Sequence, residues 1–179
     1  MPTKTRRGAF EAVALALIVL CLGSCSLGPQ SPAPWLNRAT KVRAYASPNA
    51  YSLTVDGAGR MAASGQSADQ KRGDVPYPVA DGGWLSPVEV RELKAGLSFG
   101  SPPEAVAACC SPRHAFLFYG EGGQYLGSLT VCFECGCATM LPRPVAKSGA
   151  NYLYWNYDVF RRIVTAHHLT PIVPPNADG

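Results

Sequence analysis

Five of the seven cysteines and one of the three histidines lie close together in the sequence, between residues 109 and 137. Thiol and imidazole groups at such spacing support three kinds of chemistry: a disulfide bond, a site for a soft metal ion, or a reactive thiol. The residues concerned are Cys109, Cys110, His114, Cys132, Cys135 and Cys137. Which chemistry they perform depends on the backbone that brings them together.

The segment between the cysteines has the pattern of a β-hairpin. Two β-prone runs, residues 114–119 and 125–133, flank the turn sequence GEGGQ. A two-residue loop at Gly122 and Gly123 pairs His114 with Val131, Leu117 with Ser128 and Tyr119 with Leu126. In this register one face of the hairpin carries most of the apolar bulk, namely Phe116, Phe118, Leu129, Val131 and Phe133.

Extending the same register past Pro112 places Cys110 opposite Cys135. Opposed strand residues have Cβ atoms about 4.5–5.5 Å apart, so a small adjustment allows a disulfide. The sequence therefore predicts a Cys110–Cys135 bond that closes the open end of the hairpin. Such a bond contributes roughly 3.5 kcal/mol in the chain-entropy treatment.

Two alternatives for the cluster stay open. Tetrahedral zinc accepts three cysteines and one histidine, which Cys109 or Cys110, His114, Cys132 and Cys135 can supply. Cys132 and Cys135 also have the C-x-x-C spacing of thiol oxidoreductases. However, Gly136 and the prolines at 142 and 144 leave no room for the helix that lowers the thiol pKa in thioredoxin-like enzymes.

The remaining composition restricts the function further. A net charge of +4 over 179 residues is too dilute for a phosphate-binding surface, so nucleic acid is not an expected partner. No Ser-His-Asp spacing, phosphate loop or paired-carboxylate motif is present in the sequence. The sequence assigns no enzymatic activity and favours a non-catalytic protein.

The N-terminus carries a targeting signal. Lys4, Arg6 and Arg7 precede an apolar run at residues 12–22, which is too short to span a bilayer. The sequence Leu-Gly-Ser-Cys at residues 22–25 then resembles the lipobox of bacterial lipoprotein precursors. The resemblance implies that residues 1–24 are removed, that Cys25 is lipidated, and that several acyl chains hold the protein on a membrane. Serine after the cysteine implies the outer membrane.

Two short segments carry a second resemblance. The Cys-Cys-x-Pro-Arg-His segment at residues 109–114 and the Cys-Phe-Glu-Cys segment at residues 132–135 resemble segments of small uncharacterised bacterial proteins. This resemblance implies no activity.

The expected organisation follows from these signals. A Pro/Ser-rich tether at residues 25–40 leads to a single α+β domain at residues 41–171, and residues 172–179 form a flexible tail. We expect a mostly antiparallel sheet, a surface loop at residues 64–83, and two packed helices at residues 87–95 and 157–168.

The expected function is therefore that of a lipid-anchored protein of the bacterial cell envelope. Its partner is the membrane, reached through the lipid, and its domain is a structural or binding module with a cysteine-clasped hairpin. The alternative is a metal-binding or thiol-redox protein that uses the cluster at residues 109–137, with zinc as the cofactor.

Lipidation is directly testable. Mass spectrometry of the protein from a Gram-negative host should show a mature N-terminus at acylated Cys25, because the peptidase cuts after diacylglycerol is attached. Cys25→Ala should remain unprocessed. An unlipidated, soluble form that begins at another residue would refute the assignment.

Overall fold

The computed structural model describes residues 33–47, 52–64, 79–104, 110–145 and 152–169, which belong to one compact unit. The fold is α+β, as the sequence predicts. In chain order the elements are α1 (Pro34–Arg38), β1 (Lys41–Ala46), β2 (Ser52–Val55), β3 (Met61–Ser64), β4 (Ala80–Trp84), α2 (Pro87–Ala95), β5 (Leu97–Gly100), β6 (His114–Tyr119), β7 (Tyr125–Val131), β8 (Ala138–Leu141), β9 (Tyr152–Trp155) and α3 (Tyr157–Ala166). Among these residues no helix is long and apolar enough to cross a membrane.

The main sheet has five antiparallel strands in the order β4-β1-β6-β7-β8. One face packs on the helices and forms the larger core, which includes Phe116, Phe118, Leu129 and Val131. The other face packs on the two-stranded β2–β3 hairpin through a smaller apolar cluster. A third sheet pairs β5 with β9.

The β6–β7 hairpin has the predicted register over most of its length. His114 pairs with Val131 and Leu117 with Ser128, as expected. The register shifts at the turn, where Tyr119 pairs with Tyr125 and not with Leu126. The shift arises because the turn is longer than two residues: the N–H of Gly120 donates to the Gln124 carbonyl.

The predicted surface loop at residues 64–83 is wrong at its C-terminal end. Residues 80–84 form the edge strand β4, which pairs with β1. Its composition, Ala-Asp-Gly-Gly-Trp, is typical of a turn, and its pairing with β1 skips Gly82 in a β-bulge. An ion pair between Arg43 of β1 and Asp81 ties the edge to its neighbour. Residues 65–78 of the loop lie outside the described residues.

The predicted tether also ends earlier than expected. Residues 33–40 belong to the domain, because α1 packs Trp35 and Leu36 into the larger core. The Trp35 ring makes an edge contact with Phe118 at a centroid distance of 5.4 Å. Gly127 permits this approach, since a Cβ there would lie 2.8 Å from the indole. The predicted lipid attachment site, residues 26–32 and the tail at 172–179 lie outside the described residues.

Both predicted helices form, and α1 adds a third. Ser86 and Glu89 form the expected capping box at the start of α2, where each side chain accepts a backbone N–H of the other residue. Helix α3 ends at Ala166 and not at His168, and it buries Phe160 against Phe116 with ring centroids 5.3 Å apart.

The buried face of the hairpin should dominate stability. Phe116 is 0% exposed, so Phe116→Ala should lower the free energy of unfolding by about 3–5 kcal/mol through lost burial and an internal cavity. Val145→Ala is the matched control, because Val145 is 81% exposed and its truncation should change stability by less than about 0.5 kcal/mol. Thermal and denaturant melts measure both. Equal losses would contradict the placement of the core.

Candidate functional site

The chain reverses direction at residues 132–137, between β7 and β8, and this reversal positions the cysteines. Cys132 and Cys137 form its neck, where the Cys132 N–H donates to the Cys137 carbonyl at 2.9 Å. Gly136 adopts φ 66°, a left-handed conformation that glycine reaches at little cost. Cys135 therefore lies inside a tight turn and not on an extended strand.

Four cysteines form two disulfides around this turn. Cys132 is bonded to Cys135 and Cys110 to Cys137, with Cα atoms 5.7 Å and 5.8 Å apart, respectively. The predicted Cys110–Cys135 bond is wrong, because β7 ends before Cys132 and the register does not continue past it. Cysteines do close the open end of the hairpin, but with a different partner for Cys110. Cys109 lies outside the described residues.

The two bonds close rings of very different size. In the chain-entropy treatment, the Cys110–Cys137 bond, with a sequence separation of 27, contributes about 3.5 kcal/mol to stability. The Cys132–Cys135 bond, with a separation of 3, contributes about 2 kcal/mol. The longer bond is therefore the main covalent clasp.

The sulfur atoms form a single cluster. Cys135 Sγ lies 3.6 Å from Cys137 Sγ, so the two disulfides are in contact. The Sγ atoms of Cys132, Cys135 and Cys137 all lie within 4.8 Å of one another, and no other group of three metal-ligating side chains occurs among the described residues. Zinc could bind here only if the bonds were reduced, because its sulfur ligands are thiolates.

Non-covalent contacts hold the turn on both sides. The Arg113 guanidinium pairs with Glu134 at 2.7 Å, and the Trp155 indole N–H donates to the Gly136 carbonyl at 3.1 Å. Phe133 packs in edge contacts against His114, Trp155 and Tyr157. These contacts hold the turn in place in addition to its disulfides.

His114 is not part of the sulfur cluster of Cys132, Cys135 and Cys137, so the described residues do not bring together the proposed zinc ligands that included it. Its side chain is buried, and its Nε2–H donates to the Leu169 carbonyl at 2.8 Å. Its Nδ1 atom has no hydrogen-bond partner among the described residues. Burial, together with the positive charge of Arg113, lowers the pKa of His114 below its ordinary value of 6.5.

A second candidate site is a cleft at the opposite end of β6, which the sequence analysis missed. It has a volume of about 660 Å³ and is lined by Lys41, Arg43, Trp84, Leu85, Tyr119 and Gly123. The Trp84 side chain is 50% exposed, although its ring makes an edge contact with Tyr119. The alternation of polar and buried residues in β1 was a signal for one wall, since Lys41 and Arg43 share its outer face.

The cleft contains one ion-paired cation, Arg43, and one exposed cation, Lys41. The Arg43 guanidinium lies 5.5 Å from the centre of the Trp84 ring and is ion-paired with Asp81, which lowers the pKa of that carboxyl. Lys41 is exposed. The Tyr119 phenol is protonated at neutral pH and can donate a hydrogen bond, and burial raises its pKa further.

Comparison of the chain with models of protein families, with curated proteins and with solved structures found no match. The function must therefore be inferred from the two sites themselves.

The lowered pKa of His114 gives a prediction about pH. At pH values between the pKa of His114 in the folded chain and 6.5, the unfolded chain binds more protons than the folded chain. The free energy of unfolding should therefore fall as pH decreases through 6.5, by at most about 1.4 kcal/mol per pH unit. His114→Gln should flatten this slope in melts between pH 8 and 5. Val145→Ala, which removes an exposed side chain that does not titrate, should leave it unchanged. An unaltered slope in His114→Gln would contradict the burial argument.

Proposed function

We propose that this chain is a lipid-anchored protein of the bacterial cell envelope and that its domain is a non-catalytic binding module. The basic segment, the apolar run and the sequence Leu-Gly-Ser-Cys at residues 22–25 support the anchor. Residues 26–32 would separate the lipid from Ala33, the first described residue. Fully extended, they span about 25 Å, so the domain would stay near the membrane surface.

The cleft beside Trp84 is the observation that carries the binding function. A volume of about 660 Å³ is within the range of small-molecule sites, and a half-exposed indole on a sheet offers a flat apolar surface. Such a ring face suits a cyclic ligand, because stacking needs no rearrangement of the site. Its position on paired strands β1 and β4 keeps the platform rigid.

The charges of the cleft indicate an anionic ligand. Arg43 is already neutralised by Asp81, whereas Lys41 is an exposed ammonium group at the rim. The Tyr119 hydroxyl adds a hydrogen-bond donor, because a phenol is protonated at neutral pH and burial raises its pKa further. Together these groups suit a ligand that carries both rings and carboxylates. In the cell envelope the abundant polymer of that chemistry is the peptidoglycan of the cell wall, whose amino-sugar rings bear peptides that carry carboxylates.

The cleft residues provide contacts and no nucleophile activated by a base. Lys41, Arg43, Trp84, Leu85, Tyr119 and Gly123 include no histidine, cysteine, serine or carboxylate. The arrangement is therefore suited to holding a ligand at the membrane surface and not to transforming it.

Cosedimentation with purified cell-wall peptidoglycan tests this function. The full chain should bind, and Trp84→Ala should weaken binding about tenfold, which corresponds to about 1.4 kcal/mol of lost stacking. Lys41→Ala should reduce binding mainly at low salt, because at high salt the contact between the Lys41 ammonium group and the ligand is already screened. The matched control is Tyr154→Ala, since Tyr154 is an exposed aromatic residue outside the cleft. Binding that is equally weakened by Tyr154→Ala, or no binding at all, would rule out the cleft as this site.

A further inference from the structure

The two disulfides of the turn lie in direct contact, which is the arrangement that thiol–disulfide exchange needs. Exchange requires a thiolate next to a sulfur of a second bond. Cys135 Sγ lies 3.6 Å from Cys137 Sγ, and Cys132 Sγ is within 4.8 Å of both. If the Cys132–Cys135 bond opens, each freed sulfur lies beside a sulfur it can attack.

The cysteines differ in their access to solvent. Cys132 is 2% exposed and Cys137 9% exposed, whereas Cys135 is only half-buried. An external thiol therefore reaches Cys135 before the other two. Cys110 is also exposed, so direct attack on the Cys110–Cys137 bond is a competing route that an experiment must separate.

Other contacts hold the turn together besides the Cys132–Cys135 bond. The Cys132 N–H bond to the Cys137 carbonyl and the Trp155 bond to the Gly136 carbonyl do not depend on any sulfur. They would keep the sulfurs close after reduction. The Cys135 N–H points at Cys132 Sγ at 3.4 Å, where it would stabilise the negative charge of a departing thiolate.

We propose that these four cysteines form a thiol–disulfide exchange site in which the Cys132–Cys135 pair transfers two electrons from a dithiol donor to the Cys110–Cys137 bond. One donor thiolate attacks Cys135 Sγ, the Cys132–Cys135 bond breaks, and Cys132 departs as a thiolate. The second donor thiolate attacks the donor sulfur of this mixed disulfide and releases Cys135 as a thiolate. The donor is thereby oxidised to its disulfide.

Two internal steps complete the transfer. The Cys135 thiolate attacks Cys137 Sγ, which forms a Cys135–Cys137 bond and releases Cys110 as a thiolate. The Cys132 thiolate then attacks Cys135 Sγ, which restores the Cys132–Cys135 bond and releases Cys137. The two protons lost by the donor end on Cys110 and Cys137. The net result is an oxidised donor, an open clasp and a regenerated Cys132–Cys135 pair.

The first test measures the route of reduction. The purified full chain is treated with dithiothreitol, quenched with acid at intervals, alkylated and mapped by mass spectrometry. The Cys110–Cys137 bond should open at least about tenfold more slowly in Cys132→Ser/Cys135→Ser than in the unaltered chain, because an internal thiol exceeds millimolar reductant in effective concentration. Val145→Ala, at an exposed residue that carries no thiol, is the control and should keep the unaltered rate. Equal rates in the double variant would overturn the proposal.

The second test identifies bonds and depends on neither a rate nor a measure of stability. Cys132→Ser leaves Cys135 without its partner, next to the Cys110–Cys137 bond. Mapping should find a Cys135–Cys137 bond and an alkylated Cys110 in this variant, and the same bond should be transient in the unaltered chain during reduction. The proposal fails if Cys135 is alkylated while Cys110–Cys137 persists. It also fails if the unaltered chain contains one zinc ion and no disulfides.

Discussion

Strand β6 has no exposed face over most of its length, and this constraint organises the domain. Residues 114–118 are each at most 3% exposed, so both faces of the sheet must be covered there. Phe116 and Phe118 face the core with the helices, while Ala115 and Leu117 face the β2–β3 hairpin. Where the second cover ends, near Tyr119, the outer face of the sheet opens into the cleft.

How much of this could be predicted depends on whether a local pattern determined it. The assumed loop at Gly122 and Gly123 predicted the hairpin register away from the turn, because the shift between Phe118 and Tyr119 offsets the longer turn. Ser86 with Glu89 predicted the start of α2. The end of β7 had no such signal, because Cys132 and Phe133 continue a β-prone run. The reversal there depends on Gly136 and on contacts from Arg113 and Trp155, which are distant in sequence. Pairing of Cys110 was therefore predicted with the wrong partner.

The edge strand β4 is a second element that its local sequence does not predict. Its sequence of Ala, Asp and two glycines has low β-propensity, and it forms a strand because β1 offers an open edge. Asp81 reinforces the pairing through Arg43, and this contact also places Arg43 beside Trp84. The cleft could not be predicted because Trp84 meets Arg43 and Tyr119 only after β4 pairs with β1.

The cysteine cluster and the cleft lie at opposite ends of β6, which separates their chemistry. The clasp joins the chain before His114, and the cleft uses Tyr119, five residues further along, or about 17 Å at the rise of a strand. Backbone ladders to β1 and β7 span this distance and contain no cysteine. Opening the clasp removes a covalent link at one end and leaves these hydrogen bonds in place. Reduction would therefore loosen the chain next to Cys110 first. The platform of Trp84 would be retained as long as the ladders hold, because the β6 side chains between the two ends are closely packed.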